Sequence, residues 1–102
     1  MEGWRDGLFV NIVEFPPIKK GKDKEFREWF KESNAVYAKY EGFISRRLLV
    51  SEEGNYAAIV EHKSKETFMK MHKSKERDAL FARVAPLYEG RPKPSFYEVV
   101  EL

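Results

Sequence analysis

Apolar residues recur along the chain with two different periods, and the changes of period mark the predicted elements. Leu8 to Phe15 is a short run rich in β-branched and aromatic residues, which predicts a strand. Pro16 and Pro17 end it, because proline cannot donate a hydrogen bond to a sheet. Aromatic residues then recur at helical spacing, and Gly42 follows as a stop signal. The apolar face of this predicted helix comprises Phe26, Trp29, Phe30, Ser33, Tyr37 and Tyr40.

A hairpin and a second helical region are predicted next. Phe43 to Val50 and Tyr56 to Glu61 have strand composition, and the polar residues 51–55 between them are typical of a turn. The helical period resumes at Ser64, and Ser74 is a residue at which the second helix can be interrupted.

The last elements complete a recognisable order. Gly90 to Pro94 predicts a connector, and Phe96 to Leu102 predicts a closing strand. The order β-α-β-β-α-β predicts an α+β fold of ferredoxin-like topology, because two right-handed crossovers place the helices on one face of one sheet. We expect one domain over residues 1–102, since this length supports one core, with residues 1–7 as a flexible leader.

The predicted strands carry more apolar surface than two helices can cover. Both the first strand and Tyr56 to Val60 are apolar on successive residues, whereas a strand with one solvated face alternates apolar and polar side chains. A second copy of the same sheet would cover the remaining face. We therefore expect a homodimer of the α+β barrel type.

Composition excludes several classes of function. The net charge of +2, from 19 basic and 17 acidic residues, argues against nucleic acid as a partner. Cysteine is absent, which excludes disulfides and thiolate metal sites. No apolar run is long enough for a membrane span, and the first residues lack the apolar core of a signal peptide. We expect a cytoplasmic protein without membrane contact.

Two polar residues are candidates for chemistry. Asn11 lies between apolar neighbours in the first strand, where a buried amide must find partners. If Asn11 faces the helices it marks a ligand site, and if it faces the other side it is an interface amide. His72 follows Phe68 by four residues and shares its helix face, where an imidazole can act as a base. No acidic residue stands at metal-ligand spacing from either histidine, so no metal site is predicted.

The aromatic residues of the predicted helices are candidates for the wall of a pocket, with plain core packing as the alternative. They are Phe26, Trp29, Phe30, Tyr37, Phe68, Met71 and Phe81. His62 ends a strand next to Lys63, which indicates a sheet-edge position. Arg46 and Arg47 alternate faces of a strand, so only one can point inward. An inward arginine would suit an anionic substrate, but a surface charge is the more common role of such a residue.

Residues 61–68 (EHKSKETF), followed by residues 71–74 (MHKS) and Phe81, resemble the antibiotic biosynthesis monooxygenase superfamily of dimeric α+β barrels. The turn YEGF at residues 40–43 is also similar. The superfamily includes heme-degrading monooxygenases and cofactor-independent oxygenases that form quinols. The resemblance covers nearly the whole chain. It implies a small monooxygenase that oxidises an aromatic or polycyclic molecule in an apolar pocket and requires no cofactor.

The heme-degrading branch of that superfamily has an Asn on the first strand, a Trp on the short helix and a His on the next helix. Asn11 matches the first position, whereas Met71 and Phe81 stand near the other two. The resemblance therefore implies that Asn11 orients oxygen, with His72 as the candidate base. Heme is an alternative ligand, with weaker binding or different ligation. A non-catalytic ligand-binding dimer and a structural dimerisation module are the remaining alternatives.

Overall fold

The computed structural model describes residues 8–102, so the predicted leader at residues 1–7 lies outside the described residues. The strands are β1 (Phe9–Glu14), β2 (Phe43–Val50), β3 (Tyr56–His62) and β4 (Lys93–Glu98). The helices are α1 (Asp23–Tyr37), α2 (Lys65–His72) and α3 (Lys75–Val84), and α3 continues into a 3₁₀ turn at Ala85–Leu87. No helix of this described part is long and apolar enough to cross a membrane.

The four strands form one antiparallel sheet in the order β2-β3-β1-β4. Because β1 and β2 both pair with β3, they run parallel to each other, and α1 makes the crossover between them. Helices α2 and α3 make the second crossover, from β3 to β4. The predicted α+β fold with ferredoxin-like topology is confirmed.

Serine caps set the division of the second helical region. Ser64 accepts a hydrogen bond from the backbone N–H of Thr67 at 3.1 Å and begins α2. Ser74 accepts one from Arg77 N–H at 3.1 Å and begins α3. A serine at this position satisfies a backbone donor that the helix leaves free. The predicted interruption at Ser74 is confirmed, and it produces two separate helices.

The closing strand begins earlier than predicted. It spans Lys93–Glu98, where the apolar pattern had suggested a start at Phe96 and an end at Leu102. Its length is set by pairing with β1, in which Phe9 lies opposite Glu98 and Glu14 lies opposite Lys93. Pro94 is tolerated because β4 is an edge strand, which leaves one side of its backbone without a strand partner in this sheet.

The core lies between the helices and one face of the sheet. Along β3, Tyr56, Ala58, Val60 and His62 are buried, and the residues between them are half-buried. The buried residues of α1 pack against this face. Trp29 also donates a hydrogen bond from Nε1 to the backbone oxygen of Leu80 at 2.9 Å, which joins α1 to α3.

His62 is a core residue, and the predicted sheet-edge position was wrong. Its side chain is 0% exposed because β3 is an inner strand and residue 62 points towards the helices. Nδ1 lies 2.9 Å from Thr67 Oγ1, and Nε2 lies 3.4 Å from Met71 Sδ. The rings of Phe43 and Phe68 contact the imidazole edge-on. The histidine therefore joins the end of β3 to α2.

The opposite face of the sheet has no helix over it among residues 8–102. Val10 and Ile12 on β1 and Ile59 on β3 are only half-buried there. Leu49 on β2 is 44% exposed, and Tyr97 on β4 is 50% exposed. The predicted second apolar face is present.

Gly42 is a point of close approach between the α1–β2 turn and α2. Its φ is +85°, and a Cβ there would clash with the side chain of Thr67. Its carbonyl oxygen accepts a hydrogen bond from Lys63 N–H at 2.7 Å. Gly54, in the β2–β3 turn, has a similar φ of +90° but open space around it.

We expect Gly42→Ala to lower the free energy of unfolding by roughly 2–4 kcal/mol. Alanine is strained in a left-handed backbone conformation, and its Cβ would also clash with Thr67. Gly54→Ala carries only the backbone cost, about 1–2 kcal/mol. Urea unfolding of both variants beside the wild type measures the difference. Equal losses in the two variants would contradict the close packing of Gly42 on α2.

Candidate functional site

A cavity of about 540 Å³ lies between the helices and the inner face of the sheet. Its size is in the range of small-molecule sites, which are mostly apolar with a few convergent polar groups. The wall has this composition. The apolar and aromatic lining residues include Val13, Phe15, Trp29, Ala58, Val60, Phe68, Met71, Phe81 and Pro94. The polar ones are Asn11, Tyr37, Arg46, His72, Arg77, Tyr88 and Arg91.

Seven of the nine residues predicted for a site line this cavity. They are Asn11, Trp29, Tyr37, Phe68, Met71, His72 and Phe81. Phe26 and Phe30 do not line it. Phe26 packs in the core against Phe15 and Tyr56, with ring centroids 5.1 and 5.0 Å away, and Phe30 lies beneath the guanidinium of Arg46.

Asn11 faces the helices, which is the orientation that a ligand site requires. The residue is 5% exposed and lines the cavity from β1. Its Nδ2 donates to the backbone oxygen of Ser95 on the edge strand at 3.1 Å. This bond holds the amide in place, and no group among residues 8–102 donates to Oδ1. A ligand donor can therefore be accepted there.

His72 lies at the end of α2 with its ring stacked on Phe68. The ring centroids are 5.3 Å apart, and the planes are inclined by 20°. Burial lowers the pKa of His72, and the positive charge of Arg77 lowers it further. The imidazole is thus neutral at neutral pH. A neutral imidazole at a cavity wall can accept a proton from a ligand.

Arg46 points inward and is largely buried, so the expectation of a surface charge was wrong for this residue. Its Nη1 donates to Ser33 Oγ at 2.6 Å and to Asn34 Oδ1 at 2.8 Å. The guanidinium carbon lies 3.9 Å from the ring centroid of Phe30 and 4.8 Å from that of Tyr37. Burial lowers the pKa of Arg46 to about 10, which keeps the group charged at neutral pH.

The sequence contained a signal for this arginine that the prediction did not use. Ser33 is the one small polar residue on the aromatic face of α1, and it is 0% exposed. A hydroxyl buried among rings requires a partner, and an inward arginine on the adjacent strand supplies one. Arg47, one residue later, points to the other face.

Two tyrosines complete the polar part of the cavity wall. Burial raises the pKa of both Tyr37 and Tyr88, so both are neutral phenols at neutral pH. The nearby charges of Arg46 and Arg77 oppose that shift at Tyr37. The hydroxyl of Tyr88 is buried and has no hydrogen-bond partner within the described part of the chain. Tyr88 falls in the apolar stretch that follows Ser74, but the pattern gave no reason to assign it to a site, and Arg77 resembles a surface residue of a helix.

The described residues contain no group of three His, Asp or Glu side chains that could hold a metal ion. A heme in this cavity would take a donor atom from the wall. His72 would supply a neutral imidazole, and Tyr37, Tyr88 and Met71 carry other atoms that can coordinate heme iron. The phenyl ring of Phe81 has no lone pair to offer. The wall thus fits a heme, with His72 as the one imidazole that lines it in the described part of the chain.

Comparison with solved structures places this architecture among known proteins. A proposed antibiotic biosynthesis monooxygenase from Caulobacter crescentus CB15 superposes with a TM-score of 0.83 at 21% identity, over 96% of this chain and 94% of that one. A proposed counterpart from Nitrosomonas europaea gives 0.82 at 16% identity, over 98% and 94%. A mutant form of SnoaB, a cofactor-independent oxygenase from Streptomyces nogalater, gives 0.81 at 15% identity, over 94% and 96%.

The chain has the fold of the antibiotic biosynthesis monooxygenase proteins. The resemblance inferred from residues 61–74 and Phe81 is confirmed at the level of the fold. No protein-family model matches the sequence, and no curated protein matches it. At sequence identities of this size, the comparison supports the fold and does not identify the reaction. The reaction is therefore argued from the residues of the cavity.

We expect the protein to lose stability in acid through its two buried histidines. Burial lowers the pKa of His62 and of His72 in the folded state, so the unfolded chain binds protons more readily. Their contribution to stability is complete above the unfolded pKa of about 6.5 and declines as the pH falls below it. Urea unfolding at a series of pH values measures this slope. His62→Gln should flatten it, and an unchanged slope in that variant would contradict the assignment.

Proposed function

We propose that this protein is a monooxygenase that oxidises an aromatic or polycyclic small molecule without a bound cofactor. The observation that carries the proposal is the cavity itself, an apolar and aromatic chamber with Asn11 and His72 in its wall. The fold shared with the cofactor-independent oxygenase SnoaB supports the same conclusion.

The proposed chemistry uses the electrons of the substrate. His72 takes a proton from a phenol or from an activated CH₂ group, and the resulting anion transfers an electron to dioxygen. Recombination forms a C–O bond as a hydroperoxide, and loss of water leaves a carbonyl. One oxygen atom enters the product and the other leaves as water, so CH₂ and O₂ become C=O and H₂O.

Asn11 and the apolar wall have separate parts in this scheme. The Oδ1 of Asn11 accepts a hydrogen bond from a substrate hydroxyl, which orients the ring and its reacting carbon. The aromatic wall excludes water, which protects the reactive anion from protonation by solvent. Burial keeps His72 neutral and therefore able to accept the proton.

Oxygen consumption with dithranol, an electron-rich anthrone, tests the activity against a protein-free blank. We expect Asn11→Ala and His72→Gln each to lower the catalysed rate by roughly tenfold, the scale of one lost hydrogen bond or proton acceptor. Lys31→Gln is the control, because Lys31 is exposed on α1 and lies outside the cavity. Rates that equal the blank would leave a ligand-binding dimer as the function.

Titration of the protein with heme tests the alternative that heme is the ligand of this cavity. A Soret shift that disappears in His72→Ala would assign heme to the imidazole in the cavity wall. A tight complex with iron release that survives His72→Ala would place the ligand elsewhere in the chain. We expect at most weak binding, since Phe81 offers no coordinating atom.

We also propose that the active form is a homodimer. The apolar face of Val10, Ile12 and Ile59, with the exposed Leu49 and Tyr97 at its margins, is the surface that a second copy would cover. Covering it with the identical face of another chain buries apolar area on both partners, which stabilises the association.

Light scattering over a dilution series tests the assembly. We expect a dimer for the wild type and a monomer for Ile59→Arg, because a charge at the centre of an apolar face opposes burial. Glu28→Gln makes the same change of net charge on the exposed surface of α1 and should leave the dimer intact. A wild-type monomer at micromolar concentration would exclude the proposed interface.

A further inference from the structure

The cavity contains a buried cation that no carboxylate of residues 8–102 neutralises. The Nη1 atom of Arg46 donates hydrogen bonds to the uncharged side-chain oxygens of Ser33 and Asn34. No Asp or Glu in the described part of the chain lies within ion-pair distance of it. Its Nε and Nη2 have no hydrogen-bond partner there, and the residue lines the cavity. Burying an uncompensated charge is costly, so a retained one calls for a counter-ion.

The rest of the cavity wall has the same sign of charge. Arg77 and Arg91 also line it, and no acidic side chain among residues 8–102 does. Arg77 has only a loose ion pair with its neighbour Asp78, at 3.7 Å. The guanidinium carbon of Arg46 lies 4.8 Å from the ring centroid of Tyr37, and that of Arg77 lies 4.9 Å from the ring centroid of Phe81, and both rings line the cavity. A space with cations on its wall and no carboxylate from the described residues attracts anions.

Tyr88 supplies an independent observation. It is 4% exposed, it lines the cavity, and its buried hydroxyl has no hydrogen-bond partner among the residues that the structure describes. A buried hydroxyl of this kind costs free energy unless a ligand or water bonds to it. Arg77 acts electrostatically on this hydroxyl as well. A donor in this state, in a cavity whose wall carries cations, is suited to an oxyanion.

We propose that the ligand of this cavity is an aromatic anion whose carboxylate or phenolate oxygen is held by Arg46 and Arg77, with Tyr88 donating to it. This proposal rests on the proposed function for the location of the ligand and adds its charge and orientation. The oxyanion lies at the Arg46 end, and the aromatic body lies along Phe68 and Met71 towards Asn11.

The stacking of Arg46 on aromatic rings does not remove the need for an anion. Contact with Phe30 and Tyr37 stabilises the flat faces of the guanidinium. The N–H groups lie in the plane of the guanidinium and point away from those rings, where they can form paired hydrogen bonds with an oxyanion. The rings therefore orient the arginine and leave its donors available.

Binding of 2-naphthoate and of the neutral 2-naphthylmethanol, followed by fluorescence with the full-length protein near neutral pH, tests the charge preference. We expect naphthoate to bind the wild type at least roughly tenfold more tightly than the alcohol. Arg46→Gln should abolish this preference and leave binding of the alcohol unchanged. Arg83→Gln is the matched control, because it removes the same charge from an exposed arginine outside this cavity.

Two further variants keep the proposal testable if Arg46→Gln fails to fold. Arg46→Lys retains the charge but loses the paired donors, and Arg77→Gln removes the second cation from a half-buried helix position. Each should weaken naphthoate by roughly threefold to tenfold without affecting the alcohol. The absorption spectrum of bound 2-naphthol shows whether the cavity also binds a phenolate, since the ionised form of 2-naphthol absorbs at longer wavelength than the neutral form.

Equal affinities of the wild type for naphthoate and the alcohol, with 2-naphthol bound in its neutral form, would overturn the proposal. Equal loss of naphthoate binding in Arg46→Gln and Arg83→Gln would also overturn it. These measurements require neither oxygen nor turnover. Preferential anion binding without oxygen consumption would therefore reject the proposed oxygenase activity and support the anion site. Oxygen consumption without a charge preference would support the oxygenase activity and reject the anion site.

Discussion

Helices lie on only one face of the four-stranded sheet in the described part of the chain, and this one-sided cover determines the role of each strand residue. Side chains that point towards the helices, such as Asn11, Val60 and His62, are buried in the core or line the cavity. Their neighbours Val10 and Ile59 point to the uncovered face. One face therefore contains the candidate chemistry, and the other is the surface that we propose for assembly.

The inner face also explains why the cavity combines apolar walls with fixed polar groups. Asn11 and Arg46 are each held by a neighbouring structural element. Asn11 bonds to the edge strand at Ser95, and Arg46 bonds to Ser33 and Asn34 on α1. Such bonds fix the side chains before a ligand arrives, which lowers the entropic cost of binding. The apolar surface between them favours an aromatic ligand body.

His72 and Arg46, two polar residues of the cavity wall, differ in charge at neutral pH. Burial lowers the pKa of His72 and keeps the imidazole neutral, whereas Arg46 remains charged even after burial lowers its pKa to about 10. A neutral base and a persistent cation in one cavity suit the proposed reaction, in which the substrate is deprotonated. In that proposal the base accepts the proton, and the cation stabilises the negative charge that remains.

The order of elements, the first helix and its aromatic face were determined by the sequence alone, because periodicity and serine or glycine signals act over neighbouring residues. Asn11, Phe68 and His72, which the same reasoning selected, all line one cavity. Only the tertiary structure decided the extent of β4, which depends on pairing with β1, and the burial of His62, which depends on β3 lying inside the sheet. It also decided that Arg46 enters the core, since its partners lie on a helix 12 and 13 residues away along the chain. Whether a charged residue faces solvent or protein depends on contacts between distant segments, which a local pattern does not contain.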